Sequence, residues 1–307
     1  MTKTTLVTGA NRGIGLATAQ LLADQGHEVL GTGRTAPDAF PGTFYEVDFA
    51  DAENLAAVGA EIAERHTVTG LVNNAGLSQA RSIDTVTMED MDAHYQVNLR
   101  ALVQLTQMML PGLRAAEGGG RIVNIASRVV VGRAVRTPYV ATKAALVGLT
   151  RSWALDLAAD NITVNCIAPG PVATKLFKGN HPDGSKELES VLASIPLRRV
   201  ADPMEIAGPI AFLLSPAASY VNGQTLYVCG GGSIGRREQT QRKHRGCTIS
   251  TGGTRSPVTF FGPFSRRRRR FSAADDEARR RRLDLVVHGL EPLAVIVAVA
   301  GVAPHGI

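Results

Sequence analysis

The chain has 307 residues, of which 44% are hydrophobic, a composition that excludes a fibrous or disordered protein and suffices for one large α/β core. Its net charge of +6 is unevenly distributed: residues 236–307 carry 15 basic and 6 acidic side chains, whereas residues 1–235 carry 18 and 21, so the high pI does not indicate an anionic partner for the larger part. The cysteines, Cys166, Cys229 and Cys247, are only three, widely separated and without metal-ligand spacing, so neither a disulfide framework nor a zinc site is supported, and we expect them to be buried as small hydrophobic residues.

From residue 3 to residue 235, short β-branched or apolar runs alternate with longer helical segments. This alternation is typical of a doubly wound parallel sheet. We predict strands at 4–8, 28–33, 43–48, 70–73, 121–126, 162–168 and 225–229. We predict helices at 13–25, 51–65, 88–116, 138–158 and 203–214. Seven strands joined by right-handed crossovers indicate an α/β, Rossmann-type fold in a single domain spanning 1–235.

A glycine-rich turn, TGANRGIG, follows the first predicted strand and opens the first helix. Its glycines are Gly9, Gly13 and Gly15. Glycine permits the dihedral angles of such a turn and lets a pyrophosphate approach the backbone N–H groups at the start of a helix. The alternative is a plain strand-to-helix turn. Together with the rest of the pattern, the turn indicates a dinucleotide-binding site.

The end of the second predicted strand bears on the choice of dinucleotide. An acidic residue there would favour the free 2′-hydroxyl of NAD, but this chain has Gly33 and Arg34, with Arg12 inside the glycine turn. Guanidinium groups suit a 2′-phosphate, since they can donate paired, charge-assisted hydrogen bonds to it. NADP(H) is therefore favoured over NAD. The alternatives are that both arginines are solvated, or that Arg34 stacks on adenine.

The motifs together resemble those of the classical short-chain dehydrogenase/reductases. The glycine turn is followed, in the family's order and spacing, by NNAG (73–76), VNL (97–99), Ser127, YVATK (139–143), PGPVAT (169–174) and GQTLYVCGG (223–231). The resemblance covers nearly all of residues 3–235. It implies an enzyme that moves a hydride between a nicotinamide and a carbonyl or alcohol. One departure is Cys229, where many members have a carboxylate.

The resemblance also assigns site residues. By position, Asn98, Ser127, Tyr139 and Lys143 match the family's catalytic tetrad, Asp48 an adenine contact, Asn74 a brace beside the cofactor and Thr174 a nicotinamide-amide contact. The cofactor site it implies, combined with the glycine turn and the arginines, consists of Gly9, Asn11, Arg12, Gly13, Ile14, Gly15, Arg34, Asp48, Asn74, Ala75, Gly76, Tyr139, Lys143, Pro169, Gly170, Val172 and Thr174.

The chemistry explains why a phenol and an ammonium four positions apart would be useful. Reduction of a ketone develops an alkoxide that must be stabilised and protonated, and a free tyrosine, with a pKa of about 10, holds its proton tightly. Residues i and i+4 share a helix face, so we expect Lys143 to lower the pKa of Tyr139. Ser127 is expected to orient the same oxygen, and Asn98, by resemblance, to hold a water that relays protons to Lys143. Singly, these residues have structural explanations, as packing, a turn and an exposed helix position.

The substrate stays open at this point. We expect a mobile loop over the site at 175–199. Basic residues near its mouth favour an anionic substrate, such as a 3-oxoacyl thioester on an acyl carrier protein, although charged rims are also ordinary on enzymes; these residues are Arg128, Arg133, Arg136, Lys175 and Lys178. The leading hypothesis is a carbonyl reductase or alcohol dehydrogenase. The alternatives are a 3-oxoacyl-thioester reductase and a nucleotide-sensing protein without catalysis.

Assembly, metals and the ends of the chain complete the predictions. The helices at 88–116 and 138–158 carry more apolar positions than one sheet face covers, in agreement with the homotetramer the family implies. Four histidines without metal-ligand spacing are expected at the surface or at helix caps, and no metal is predicted; they are His27, His66, His94 and His181. The first strand begins without a leader-like segment, which predicts a cytoplasmic protein.

Residues 236–307 form a basic segment with arginine runs at 266–270 and 279–282. Such runs can bind nucleic acid or an anionic membrane, but no aromatic interleaving accompanies them, and a disordered extension is the favoured interpretation. The apolar stretch at 290–303 is too short and too interrupted to span a bilayer. We therefore expect neither a nucleic-acid partner nor a membrane span.

Overall fold

The computed structural model describes residues 3–234, apart from the side chains of Leu176 and Asn180. In this range seven parallel strands form one sheet in the order β3-β2-β1-β4-β5-β6-β7. The strands are β1 (Thr4–Thr8), β2 (Glu28–Gly33), β3 (Thr43–Glu46), β4 (Gly70–Asn73), β5 (Arg121–Ile125), β6 (Thr163–Pro169) and β7 (Thr225–Val228). The predicted Rossmann-type sheet is confirmed.

Helices cover both faces of the sheet. They are α1 (Gly13–Asp24), α2 (Ala52–Arg65), α3 (Met88–Tyr95), α4 (Ala101–Arg114), α5 (Thr137–Asp156), α6 (Lys175–Asn180), α7 (Lys186–Ala193) and α8 (Pro203–Leu214). Short 3₁₀ turns occupy Arg128–Val131, Ala158–Asp160 and Pro216–Ala218.

The alternation of side chains along β1 explains the two cores. Leu6 packs on one face with residues of α2, α4 and α5, whereas Val7 packs on the other with residues of α1 and α8. All five residues of β1 are buried, as expected for a parallel strand covered on both faces. Because helices cover both faces, a ligand site is expected at the carboxyl ends of the strands, as in other doubly wound sheets. The strand order reverses between β1 and β4, so a ligand crevice is expected there.

Two predicted segments differ from the structure. The helix predicted at 88–116 is interrupted by a π turn, Gln96–Arg100, between α3 and α4. The segment 175–199, predicted as a mobile loop, contains the helices α6 and α7. Both helices begin at a side-chain cap: Thr174 Oγ1 accepts a hydrogen bond from Phe177 N, and Ser185 Oγ accepts one from Leu188 N, each at 3.2 Å. These caps satisfy N–H groups that a loop would leave to water.

Other predictions concern cysteines and the end of the chain. Cys166 and Cys229 are buried, as predicted. Among residues 3–234, no helix combines the length and the hydrophobicity needed to cross a membrane. The predicted boundary at 235, the basic segment 236–307 and Cys247 lie outside the described residues.

Candidate active site

The glycine turn leaves no room for side chains. A Cβ on Gly15 would lie 2.2 Å from Gly9 O, and one on Gly9 would lie 3.0 Å from Ala75 Cα. Gly9 and Gly13 have φ angles of +63° and +56°, which favour glycine. Arg12 caps α1 without a side-chain hydrogen bond, so the first N–H groups of the helix are left for a ligand. A crowded turn with an uncapped helix start fits the pyrophosphate of a dinucleotide.

Asn74 fastens the end of β4 to the glycine turn, as the sequence predicts. Its Nδ2 donates hydrogen bonds to Thr8 O at 2.8 Å and to Gly9 O at 3.2 Å. Thr8 also holds the two segments together, because its Oγ1 accepts hydrogen bonds from the backbone N–H groups of Asn74 and Ala75, both at 2.9 Å. Thr8 is not among the predicted site residues; its only signal in the sequence is a hydroxyl at the last position of a buried strand.

The predicted adenosine end of the site is open and basic. Arg12 and Arg34 are exposed, and neither forms a hydrogen bond or ion pair through its side chain with another described residue. A Cβ on Gly33 would lie 3.2 Å from Asn11 Cγ, so the glycine at the end of β2 allows Asn11 to lie over it. Asp48 is exposed in a turn in which its Oδ1 accepts a hydrogen bond from Ala50 N at 3.0 Å. The guanidinium groups of Arg12 and Arg34 are therefore available to bind an anion.

The segment after β6 closes against the glycine turn. A Cβ on Gly13 would lie 2.9 Å from Thr174 Cγ2. A Cβ added to Gly170 would lie 2.8 Å from Cys229 Cα, so the two segments are in close contact there. The remaining predicted residues of this region form its walls: Ile14 is half-buried against the core, Pro169 ends β6 and Val172 is buried.

Tyr139 and Lys143 lie one turn apart near the start of α5, where Pro138 favours helix initiation. Lys143 is 3% exposed, and its Nζ donates a hydrogen bond to Ile125 O at 2.6 Å. The same Nζ lies 5.9 Å from the centroid of the Tyr139 ring. A Cβ on Gly76 would lie 3.3 Å from Lys143 Nζ. The lysine is therefore held between the end of β5 and the NNAG segment, with two of its three donor hydrogens still available.

The pKa values of this pair differ from the prediction. Burial lowers the pKa of Lys143 to about 8, with the nearby Cys166 acting in the opposite direction. Burial raises the pKa of Tyr139, against the opposing effects of the Ser127 hydroxyl and the Arg136 charge. The direction is opposite to the expected lowering of the Tyr139 pKa, and burial of the phenol is its main cause. Because Tyr139 keeps some exposed surface, water limits the size of the rise.

Ser127 stands directly beyond β5, at the start of a 3₁₀ turn. It is half-buried, and its Oγ accepts a hydrogen bond from Val129 N at 3.4 Å. Its hydroxyl is near enough to Tyr139 to oppose the rise in the phenol's pKa. The structure thus brings Ser127, Tyr139 and Lys143 together at the carboxyl edge of β5.

Asn98 occupies the middle of the π turn and is fully buried. Its Oδ1 accepts a hydrogen bond from Leu77 N at 2.6 Å, and its Nδ2 donates to Leu77 O and Thr142 Oγ1, both at 3.0 Å. An exposed helix position is thereby excluded for Asn98. Both amide hydrogens are used, so the side chain retains one lone pair on Oδ1 for a water. π turns inside helices occur frequently at functional sites.

The basic residues predicted at the mouth fall into two groups. Arg128 is half-buried and donates hydrogen bonds to Gly232 O at 3.4 Å and Ser194 Oγ at 3.2 Å; burial and the charge of Arg133 lower its pKa. Arg136 donates to Ser78 Oγ at 3.2 Å. The exposed group consists of Arg133, Lys175 and Lys178. No member of either group forms an ion pair with a carboxylate of residues 3–234.

His94 corrects the prediction that the histidines lie at the surface or at caps. It is fully buried, with Nδ1 2.7 Å from Asp90 O and Nε2 accepting a hydrogen bond from Gln79 N at 3.2 Å. A neutral ring that donates at Nδ1 and accepts at Nε2 satisfies both contacts. Within the part of the chain described, no group of His, Cys, Asp and Glu side chains is arranged to hold a metal ion.

Comparison with known proteins agrees with this geometry. The family profile described as Enoyl-(Acyl carrier protein) reductase matches residues 9–233. The chain is 36% identical over 239 residues to the 3-oxoacyl-(acyl-carrier-protein) reductase FabG of Vibrio cholerae, covering 75% of this chain and 96% of the relative. It is 35% identical over 242 residues to FabG of Thermotoga maritima, covering 75% and 97%.

Solved structures show the same fold. A candidate NAD(P)-dependent gluconate 5-dehydrogenase from Beutenbergia cavernae, with NADP bound at low occupancy, aligns with a TM-score of 0.70 at 37% identity, covering 76% of this chain and 97% of that one. Aldohexose dehydrogenase of Thermoplasma acidophilum aligns with a TM-score of 0.72 at 28% identity, covering 78% and 97%. With its sheet order, its glycine turn and these relatives, the chain belongs to the classical short-chain dehydrogenase/reductases, a family of oxidoreductases.

Proposed function

We propose that the chain reduces a ketone to a secondary alcohol with NADPH, and that Tyr139, Ser127 and Lys143 carry the reaction. The observation that carries this proposal is the position of the three side chains together at the carboxyl edge of β5, across from the glycine turn. A cofactor-sensing protein without catalysis would have no need of all three groups in one place.

The dinucleotide would be held by the glycine turn, by Asn74 and Thr174, and by the free hydrogens on Lys143 Nζ. When bound, its nicotinamide supplies the hydride that reduces the carbonyl carbon. The protein's own task is to hold the carbonyl oxygen and protonate it. Ser127 Oγ–H donates a hydrogen bond to that oxygen and fixes its direction, and Tyr139 Oη–H transfers its proton to it as negative charge develops.

The burial of Tyr139 and Lys143 suits the reductive direction. A raised phenol pKa keeps Tyr139 protonated at neutral pH but makes it a weaker acid, so its proton moves only as negative charge develops on the substrate oxygen. Lys143, with its pKa lowered to about 8, is charged below that pH and can return a proton to the phenolate after transfer. The remaining lone pair on Asn98 Oδ1, together with the backbone of the π turn, is the proposed anchor for a water that resupplies Lys143.

The choice of NADP(H) over NAD is supported by Arg12 and Arg34 and by the NADP reported in a structural neighbour. We expect Arg34→Ala to raise the KM for NADPH by about 10- to 100-fold, because a charge-assisted hydrogen bond to a phosphate contributes about 1.5–3 kcal/mol. The KM for NADH should change much less. Steady-state kinetics with both cofactors measures this, with Arg65→Ala, another exposed arginine, as the control. An equal loss for NADH and NADPH would contradict a 2′-phosphate contact.

A 3-oxoacyl thioester on a phosphopantetheine carrier is the second candidate substrate. It is favoured by the names of the curated relatives and by arginines at the mouth that have no carboxylate partner among the described residues. The acyl group of such a substrate is neutral, but its phosphopantetheine carries phosphate, which these guanidinium groups would attract.

Assays with a panel of substrates distinguish the ketone reductase, the 3-oxoacyl-thioester reductase and the nucleotide-sensing protein. NADPH consumption would be followed with simple ketones, diols, ethyl acetoacetate and acetoacetyl-coenzyme A. We expect acetoacetyl-coenzyme A to give the higher kcat/KM of the last two, which share the acetoacetyl group, because only the thioester carries the phosphopantetheine arm with its phosphates. Equal kcat/KM values for these two substrates would support a reductase of simple ketones and would exclude recognition of the phosphopantetheine arm. Tight NADPH binding without turnover of any substrate would favour the sensor.

The homotetramer, the cytoplasmic location and the domain boundary at 235 remain proposals. The tetramer is supported by a groove of about 670 Å³ between α4 and α5, lined by apolar and polar side chains that include Leu99, Val103 and Leu149. Phe212 of α8 and Leu226 of β7 are large apolar side chains exposed outside this groove. Exposed apolar side chains in more than one place on a subunit suit an assembly with more than one kind of interface.

A further inference from the structure

Thr142 lies within the YVATK motif and has no role in the mechanism proposed above. It is 4% exposed, and its Oγ1 accepts the hydrogen bond from Asn98 Nδ2 at 3.0 Å. The same hydroxyl lies 3.0 Å from Pro138 O and 3.2 Å from Tyr139 O, to which it can donate its single hydrogen. Thr142 thus connects the buried amide of the π turn to the backbone that carries the phenol.

The connection continues through Asn98 to the NNAG segment. Asn98 holds both backbone groups of Leu77, the N–H through Oδ1 and the C=O through Nδ2. The neighbouring residue, Gly76, has no side chain, and a Cβ there would lie 3.3 Å from both Asn98 Oδ1 and Lys143 Nζ. A displacement of the Asn98 amide would therefore move the backbone against which the lysine packs.

We infer that Thr142 is a positioning residue for the reaction, which locks the Asn98 amide and through it the 76–77 backbone beside Lys143. The inference rests on the proposed function, because it assigns Lys143 and Asn98 to the reacting centre. Thr142 itself touches neither substrate nor cofactor. Without its oxygen, one Asn98 hydrogen would be buried without an acceptor, and the amide would have to rotate or admit water to satisfy it.

The same helix provides a matched control. Thr150 is fully buried, its Oγ1 accepts a hydrogen bond from Asn124 Nδ2 at 2.9 Å, and it donates to Leu146 O at 2.7 Å. The two threonines thus have the same kind of partners: a buried asparagine amide and a carbonyl one turn earlier. Thr150 lies two turns further along α5 and makes no contact with Asn98. Removing either hydroxyl should destabilise the fold similarly, and only Thr142 should affect the site.

The test replaces each threonine by valine, which keeps the shape and removes the acceptor. Hydrogen exchange of the Leu77 amide in the ligand-free protein should become about tenfold faster in Thr142→Val and stay unchanged in Thr150→Val. This readout does not depend on turnover, so it stands even if the proposed function fails. Unchanged Leu77 exchange in Thr142→Val would overturn the inference. If Thr142→Val does not accumulate as folded protein, Thr142→Ala gives the same comparison.

The second part of the test measures the turnover of the variants with the substrate that the panel of ketones and thioesters identifies. We expect Thr142→Val to lower kcat about tenfold or more, since small misplacements of reacting groups have effects of that size, while Thr142→Ser and Thr150→Val keep most of it. The alkaline limb of the kcat profile should move to higher pH in Thr142→Val, because water reaching Lys143 relieves the burial that lowers its pKa. The ionisable groups facing Lys143 are Tyr139 on its own helix and Cys166 on β6. Equal kinetic losses in the two valine variants would mean that Thr142 serves stability alone.

Discussion

Tyr139→Phe is expected to lower kcat by about 10²- to 10⁴-fold, the range over which a positioned general acid contributes. The change removes one oxygen and its proton and leaves the ring, so the packing of the half-buried side chain stays the same. The affinity for NADPH should change less than about twofold, since a lost hydroxyl without a buried partner costs little. NADPH consumption and fluorescence titration measure the two quantities.

The control for this variant is Tyr220→Phe, which removes a phenol that is completely exposed. It should keep wild-type turnover. A Tyr139→Phe enzyme that retains more than a few per cent of wild-type activity would refute the assignment of the proton to Tyr139. The wild-type enzyme should also lose reductive activity as the pH rises through about 8, because Lys143 then loses its charge.

Much of the fold could be predicted because strong local signals agree with the tertiary structure. In β1, neighbouring residues such as Leu6 and Val7 face opposite cores, and a run of β-branched and apolar residues without polar alternation fits a strand that is covered on both faces. The glycines of the turn could be predicted for a steric reason that the structure supplies, the contact between Gly15 and Gly9 O. Tyr139 and Lys143 could be paired because the i and i+4 positions of a helix share a face.

The features that the sequence could not predict depend on contacts between residues that are far apart in the chain. The π turn at 96–100 arises where Asn98 binds the backbone of Leu77, 21 residues away, and no local propensity signals it. His94 is buried because Asp90 O and Gln79 N satisfy both ring nitrogens. The pKa of Tyr139 depends on burial, which outweighs the nearby charges and cannot be judged from spacing. Short helices such as α6 and α7 carry weak periodic signals, so their capping residues were the only available indication.

Gly15→Ala is expected to abolish measurable binding of NADPH, with a rise in Kd of at least about 100-fold. The added Cβ would lie 2.2 Å from Gly9 O and 2.7 Å from Asn74 Nδ2, distances that no side-chain adjustment can relieve, because the nearer atom belongs to the backbone. Helix propensity acts in the other direction, since alanine in a helix is favoured over glycine by about 1 kcal/mol. The steric clash should outweigh the gain in helix propensity, because the turn can admit the methyl group only by moving the backbone that faces the pyrophosphate.

Gly208→Ala in α8 separates the two effects. Apart from its chain neighbours and its own helix backbone, a Cβ at Gly208 meets no atom within 4 Å, and the gain in helix propensity is offset by the following Pro209, so the melting temperature should stay near that of the wild type with NADPH affinity unchanged. Thermal unfolding and fluorescence titration of both variants make the comparison. Gly15→Ala should melt below the wild type, because Asn74 then loses its hydrogen bonds to Thr8 and Gly9 as the turn opens. If Gly15→Ala folded normally and bound NADPH as tightly as the wild type, the turn could not be the pyrophosphate site, since its geometry leaves no space for both the methyl group and the present backbone path.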